Sequence, residues 1–485
     1  MPLIFPDVRN SPATFSKCLG FFNYLLIAIF CLPFLSIGEG AIGQQRTIRD
    51  AGEQLRHFSS GRITAASANA IAADEQQRGR HLPHLGHDPN IGPASITIQQ
   101  VKFVGNKIFG GDALAERVEA FIGRPLSVDD LVDAAVAAAE IYHEAGYFAT
   151  QVVVPPQEIV DGTITMLVLE GYLDEDGIKI DDRANGSTSI DYVRRILSRY
   201  VKTGEPIRRG DYERALLIVE SLPGVHLRSR LYPGTKAGTA RLGVEIYQTS
   251  VARGGVSYDN FGFYGIGRNR VTAQGSFENA VHHNEALSLV ASTTGRNQKF
   301  AGVEASVPLG NDGLVLSAIG NFLDYRLRKE YDTANQHGWG AIAGLHVSYP
   351  LQLLRDQKVY VSGRAERSLS SDKSDGVADF ERNVDVMEVS LHGDLSSSSA
   401  VTAFAVTGFA GYVDVTNGAD FFGTEGSFTV LEVHANRLQR LYGNFSGFLS
   451  GKAQVASRNL DGLFKCSVGG PSSNRGFPVG EASAD

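Results

Sequence analysis

Residues 251–485 read as a series of short segments in which side-chain character alternates with a period of two. Val271, Ala273, Gly275 and Phe277 alternate with Thr272, Gln274, Ser276 and Glu278. Ala301, Val303, Ala305 and Val307 do so against Gly302, Glu304 and Ser306, and the pattern returns in Leu287, Leu289, Ala291 and in Leu345, Val347, Tyr349. In an extended strand successive side chains point to opposite faces, so each segment has one apolar or small face and one polar face. Turn clusters such as Leu309-Gly310-Asn311-Asp312-Gly313 and residues 372–376 separate the segments. A chain of this kind folds either as a soluble β-sandwich or as a transmembrane barrel whose apolar face meets lipid. At about 20 residues per strand and connection, the region holds about eleven strands. The last of them runs near Phe445 to Val455, and residues after Phe464 read as loop. Single-chain bacterial barrels close with an even number of strands, so the expectation is a barrel that breaks off before it closes.

The N-terminus points to export. Lys17 precedes an apolar run from Leu19 to Ile37, and the small residues Ser36, Gly38, Gly40 and Ala41 follow, the order of a secretory signal peptide cut near Gly38 or Gly40. No later stretch approaches the ~20 apolar residues of a membrane helix, so a membrane domain in this chain has to be a barrel. Of three cysteines, Cys18 and Cys31 lie in this segment and only Cys466 lies beyond it, which leaves no intramolecular disulfide in a processed chain. A formal net charge of −8, with cations dispersed among carboxylates, argues against a nucleic-acid partner.

Between signal and strands lie four stretches. Residues 41–58 (QQRTIRDAGEQLRHF) are polar and helix-compatible, and residues 59–94 read as a linker rich in Ala, Gly, Gln and His. Residues 95–173 then give the order strand, helix, helix, strand, strand, and residues 174–249 give it again. In the first repeat Ser127 before Asp129 and Asp130 marks a helix start, Leu131, Ala134, Ala135 and Ala138 share one helical face, and Gly146 marks its end. The two repeats are read as paired small α+β domains.

Chemistry-bearing patterns are few. Gly262–Gly267 (GFYGIG) follows no βαβ unit and does not read as a nucleotide loop. His282 and His283 would face opposite ways on a strand and read as a turn, and 174–176 reads as a solvated acidic turn between the repeats. No catalytic, cofactor-binding or metal-binding arrangement can be defended.

Three segments carry a resemblance. Gly146–Gly171 (GYFATQVVVPPQEIVDGTITMLVLEG) resembles the first POTRA domain, and Leu222–Gly234 (LPGVHLRSRLYPG) the end of the second POTRA domain, of the two-partner-secretion transporters, the TpsB or haemolysin activation/secretion family (ShlB/FhaC/HecB type). The tail from Ser467 (SVGGPSSNRGFPVGEASAD) is similar to that family's long extracellular loop, with its Arg-Gly-Tyr/Phe signature followed by Gly-Glu. Asn474 stands where the family usually has an apolar residue and Ala484 where Gly is common.

The resemblance implies α+β periplasmic POTRA domains followed by an all-β transmembrane antiparallel barrel, about eleven of sixteen strands being present over residues 250–485. It implies that residues 41–58 match a pore-plugging helix, and that the loop motif is Arg475, Gly476, Phe477, Gly480 and Glu481. Arg475 would take an acidic partner from a strand beyond residue 485; Gly476 would permit a tight turn and Phe477 would pack the loop tip. The expected function is an outer-membrane pore that recognises an unfolded exoprotein, a TpsA-type adhesin or haemolysin, in the periplasm and passes it to the surface. Strand addition to a POTRA edge would hold that partner, with Tyr147, Phe148, Val152 and Val154 as candidate contacts and Val153 assigned to the small core. Outer-membrane lipid, barrel-assembly machinery for insertion, a monomeric state and no cofactor complete the expectation. The isolated chain, lacking strands, is expected to be inactive in export. A barrel-assembly insertase of the same superfamily and a soluble periplasmic peptide-binding module are the alternatives.

Overall fold

The computed structural model describes residues 96–484 except 184–187, 249–250, 282, 329–333, 377–378, 422, 444 and 469–481. The expected signal peptide, plug helix and linker lie outside the described residues, as does the whole Arg475 motif.

The first repeat runs β1 (Ile96–Thr97), β2 (Gln100–Val104), α1 (Gly111–Val118), β3 (Pro125–Leu126), α2 (Val128–Glu144), β4 (Gln151–Val153) and β5 (Thr163–Leu169). Helix α2 starts where the sequence says it should. The Ser127 hydroxyl accepts from Asp130 N, and the Asp130 carboxylate accepts from Ser127 N, a capping box that satisfies two otherwise orphaned donors. It ends at Gly146, whose φ of 89° is open to a residue without Cβ. Its buried face, Leu131, Ala134, Ala135, Ala138, Ala139 and Tyr142, is small enough to bring α2 close to the sheet. That sheet has the order β2-β5-β4, with β2 and β5 parallel and β4 and β5 antiparallel.

The second repeat follows the same plan: β6 (Tyr172–Asp182), α3 (Ile190–Tyr200), α4 (Arg209–Glu220), β7 (Val225–Pro233) and β8 (Thr239–Gln248), with sheet order β6-β8-β7. Val193, Ile196 and Leu197 of α3 and Ala215, Ile218 and Val219 of α4 bury themselves against Leu242, Val244 and Ile246. At 174–176 Glu175 and Asp176 are exposed, as expected of an acidic run, but the turn assignment and the solvation of Asp174 are corrected. These residues lie inside β6, which is irregular there because its register against β8 shifts between Leu173 and Ile178. Asp174 is buried rather than solvated.

The next eleven strands form one antiparallel sheet in sequence order: β9 (Ala252–Asp259), β10 (Arg270–Glu278), β11 (Ala286–Thr293), β12 (Gln298–Leu309), β13 (Leu314–Arg326), β14 (His337–Leu353), β15 (Gln357–Lys373), β16 (Phe380–Ser396), β17 (Ala400–Asn417), β18 (Gly426–Arg440) and β19 (Ser446–Ala456), and two short strands, β20 (Cys466–Val468) and β21 (Ala482–Ala484), pair antiparallel with each other outside it. The eleven strands agree with the number expected from spacing. One face carries exposed apolar side chains such as Leu345, Val347, Met387, Val389 and Leu431. The other carries Arg364, Glu366, Glu388, Glu432 and Lys452, tied into ion pairs. Curvature follows from packing. Phe300, Leu323, Ile342, Val384, Val413 and Phe428 come from six strands of the β12–β18 span yet share one buried cluster, so the polar face is the concave one. An exposed apolar exterior around a charged interior is the pattern of a barrel wall in lipid, not of a sandwich core.

Candidate functional site

Three arrangements position this molecule for work: the joint between the repeats, the seat of the second repeat on the barrel, and the concave wall.

At the joint, the Glu170 side chain is buried, and its Oε1 accepts from Lys107 N (2.7 Å), Ile108 N (2.8 Å) and the Tyr142 hydroxyl (3.0 Å). Its Oε2 accepts from the Tyr172 hydroxyl at 2.8 Å. A carboxylate so enclosed is stable only because donors replace the lost water. Burial, then the hydrogen bond to Glu170, pushes the Tyr172 phenol up to about 12 and moves Tyr142 in the same direction. The joint is closed by Arg209 N donating to Gly146 O (2.8 Å), by the Phe148 ring 5.3 Å from that of Tyr212, and by the Arg208 guanidinium 5.4 Å from the Tyr147 ring. The candidate contacts Tyr147 and Phe148 therefore sit between the repeats.

Val152 and Val154 are half-buried and pack on the core of the first repeat. Val153, expected in that core, instead points outward at 38% exposed. Register explains the inversion: Val152 opposes the buried Val168, and a strand's period of two sends Val153 to the other face. Among the described residues β4 pairs with β5 alone in its sheet, which leaves it an edge strand with Val153 beside that edge.

The second repeat is seated on one end of the barrel through its turns. Arg214 donates to Pro350 O (2.7 Å) and Leu351 O (3.0 Å) while lying against the Tyr200 and Tyr349 rings. Arg355 N donates to Glu213, which also accepts from Arg209. The Tyr192 hydroxyl donates to Gly310 O at 2.8 Å, and Gly224 N donates to Glu278. Leu353 of β14 is buried within the core of the second repeat. Every one of these contacts is made by a hairpin end on the same side of the sheet: the β10–β11, β12–β13 and β14–β15 connections. Asp174 holds the distal turn of β7–β8, accepting from Thr235 N (2.6 Å) and Oγ1 (2.8 Å), and these bonds hold its carboxyl below the usual range.

On the concave wall the fully buried Arg382 pairs with Asp372 of β15 at 2.9 Å and with Asp461, and it lies 5.2 Å from the Phe380 ring. Asp461 belongs to the segment that follows β19, whose Leu460, Leu463 and Phe464 join the apolar cluster of the wall. Gln454 donates to Phe464 O at 2.7 Å and Arg458 to Gly423 O at 2.9 Å. The loop expected after Phe464 is corrected in part, since β20 pairs with β21 there, and no local motif marks Arg382 or Asp461. The available signal was parity: Arg382 falls in line with Val384 and Val386, opposite to the outward Met387 and Val389.

Comparison with known proteins agrees with this architecture. Residues 96–171 match the POTRA domain, ShlB-type, and residues 238–485 match the haemolysin secretion/activation protein ShlB/FhaC/HecB. The chain belongs to the ShlB/FhaC/HecB family. This family member is 25% identical over 461 residues to the heme/hemopexin transporter protein HuxB of Haemophilus influenzae, covering 93% of this chain and 79% of that one. Its fold is shared with CdiB from Escherichia coli (TM-score 0.65, 17% identity, 89% of this chain and 82% of that). CdiB from Acinetobacter baumannii follows at TM-score 0.56 and 16% identity, with 90% and 83% coverage. A ShlB/FhaC/HecB protein is an outer-membrane β-barrel transporter of a partner exoprotein with its POTRA repeats in the periplasm. The barrel end that seats the second repeat is accordingly the periplasmic end, and its short turns fit that side.

Proposed function

We propose that this transporter captures an unfolded TpsA-type exoprotein, an adhesin or haemolysin, on its POTRA pair and passes it along the charged concave wall to the cell surface. The observation that carries this is the continuity of a strand-accepting periplasmic repeat, a seated second repeat and a polar barrel interior in one chain. The partner first adds a strand to the outer edge of β4, where main-chain hydrogen bonds hold any sequence in extended form. Val152 and Val154 keep that edge in register from beneath, while Tyr147 and Phe148 set the angle at which the two repeats meet. The Arg475, Gly476, Phe477, Gly480 and Glu481 motif serves as the mobile element of the pore, with Arg475 gripping a wall carboxylate. Insertion by the barrel-assembly machinery as a monomer completes the reading.

The test is co-expression of a candidate exoprotein with this chain joined to the expected further strands, scored by surface appearance of the exoprotein. Export that requires the chain supports the proposal. Retention of the exoprotein in the periplasm, with the chain folded in the outer membrane, sinks it.

A further inference from the structure

We propose that Arg382 is a positioning residue for export: it fixes residues 460–464 to the barrel's concave wall as a stationary ledge that stays docked while cargo passes. This rests on the export reading above, but its geometry stands apart from it. The interior of such a barrel is expected to be polar. Here the wall instead presents an apolar patch made of Phe300, Leu323, Ile342, Val384, Val413 and Phe428, and Leu460, Leu463 and Phe464 cover it. The Phe464 ring lies 4.8 Å from Phe428 and 6.1 Å from Phe409.

An apolar cover alone could slide along such a patch, because burial is non-directional. The ion pairs supply direction. Arg382 has no exposed surface, and its guanidinium reaches Asp372 on the neighbouring strand and Asp461 on the ledge together. Asp461 is itself fixed, accepting from Leu463 N at 2.9 Å while its carbonyl accepts from Phe464 N at 2.9 Å. Lifting the ledge would take the buried Asp461 carboxylate away from a buried guanidinium, the costly way to break such a pair. Motion of the chain beyond Phe464 therefore starts from a fixed root, and cargo passes over the ledge rather than displacing it.

Cys466, half-buried just past the ledge, reports on it. In the full chain with Cys18 and Cys31 replaced by Ser and folded in detergent, a maleimide should label Cys466 slowly. Arg382→Ala should speed labelling by about tenfold or more, the sign of a newly populated local opening, while heat-modifiable migration of the barrel is unchanged. Arg382→Lys, which keeps the charge, should restore most of the protection. Should Arg382→Ala fail to fold, Asp461→Asn makes the same test with the Arg382–Asp372 pair intact. Unchanged labelling in a folded variant overturns the anchor. A second arm asks whether the ledge is stationary: in the chain joined to the expected further strands, Phe428→Cys with Phe464→Cys in a Cys466→Ser background, bridged by a bifunctional thiol reagent, should export at the parent rate. Loss of export on bridging, restored by cleaving the reagent, would show a moving gate and overturn the ledge. Labelling does not depend on export, so failure of the anchor and failure of the export reading are told apart.

Discussion

Glu170 shows how one side chain can hold a joint. Its four donors come from the β2–α1 turn, from α2 and from the first residue of β6, so both repeats depend on it. Glu170→Ala leaves two main-chain amides and two phenols without their acceptor, and should cost about 3 kcal/mol, read as a lower denaturation midpoint of the POTRA region. The same cluster sets an alkaline limit. Tyr172 ionises near 12 in the folded chain against about 10 when unfolded. Its contribution is thus full below pH 10 and lost as pH rises through about 12. Tyr172→Phe should remove that loss, with near-ultraviolet circular dichroism of the two chains converging between pH 10 and 12. Asp174 has the opposite sign: its lowered carboxyl supports the fold above about pH 4 and gives that support up as pH falls below its folded value. Asp174→Asn should flatten the acid limb of the stability profile.

At the scale of elements, α2 was the most legible part of the chain, because its cap, apolar face and stop are all local signals. Ser127→Ala should cost about 1 kcal/mol by undoing the capping box, measurable as a shift in the unfolding midpoint. The barrel strands were legible for the same reason, a period of two being written in neighbouring residues. The facing of Val152 and Val153 was not legible, since three consecutive valines carry no alternation and the register to Val168 decides. Nor was the burial of Asp174, which reads as part of a solvated turn with Glu175 and Asp176 until Thr235, distant in sequence, supplies its donors. Arg382 and Asp461 escaped for the same cause: the partners are 79 residues apart, and no local spacing announces them.

At the scale of the molecule, the two repeats and the barrel are joined by packing and polar contacts rather than by a tether alone. Leu353 in the core of the second repeat and Arg214 on the β14–β15 hairpin make the periplasmic module and the pore one mechanical piece. Arg214→Ala should leave heat-modifiable migration intact while raising protease cleavage between the second repeat and β9, an outcome readable on a gel. If cleavage does not change, Leu353 and the Glu213, Tyr192 and Gly224 contacts hold the seat without Arg214. The eleven strands and the order of the parts could be anticipated from the sequence; the seat could not, because its partners lie far apart in sequence and many of them are main-chain groups that every residue possesses.

Those carbonyls carry a consequence of their own. Arg214 reads the backbone of Pro350 and Leu351, and Tyr192 reads that of Gly310, so neither contact depends on which side chains the turns present. Sequence drift in the turns is invisible to the contact as long as turn length and the register shift at Pro350–Gln352 are kept. A cargo-capturing module could therefore be exchanged between distant relatives whose pores keep little more than Leu353, Tyr349 and Glu278, which would let a lineage change what it exports by recombination rather than by gradual adaptation.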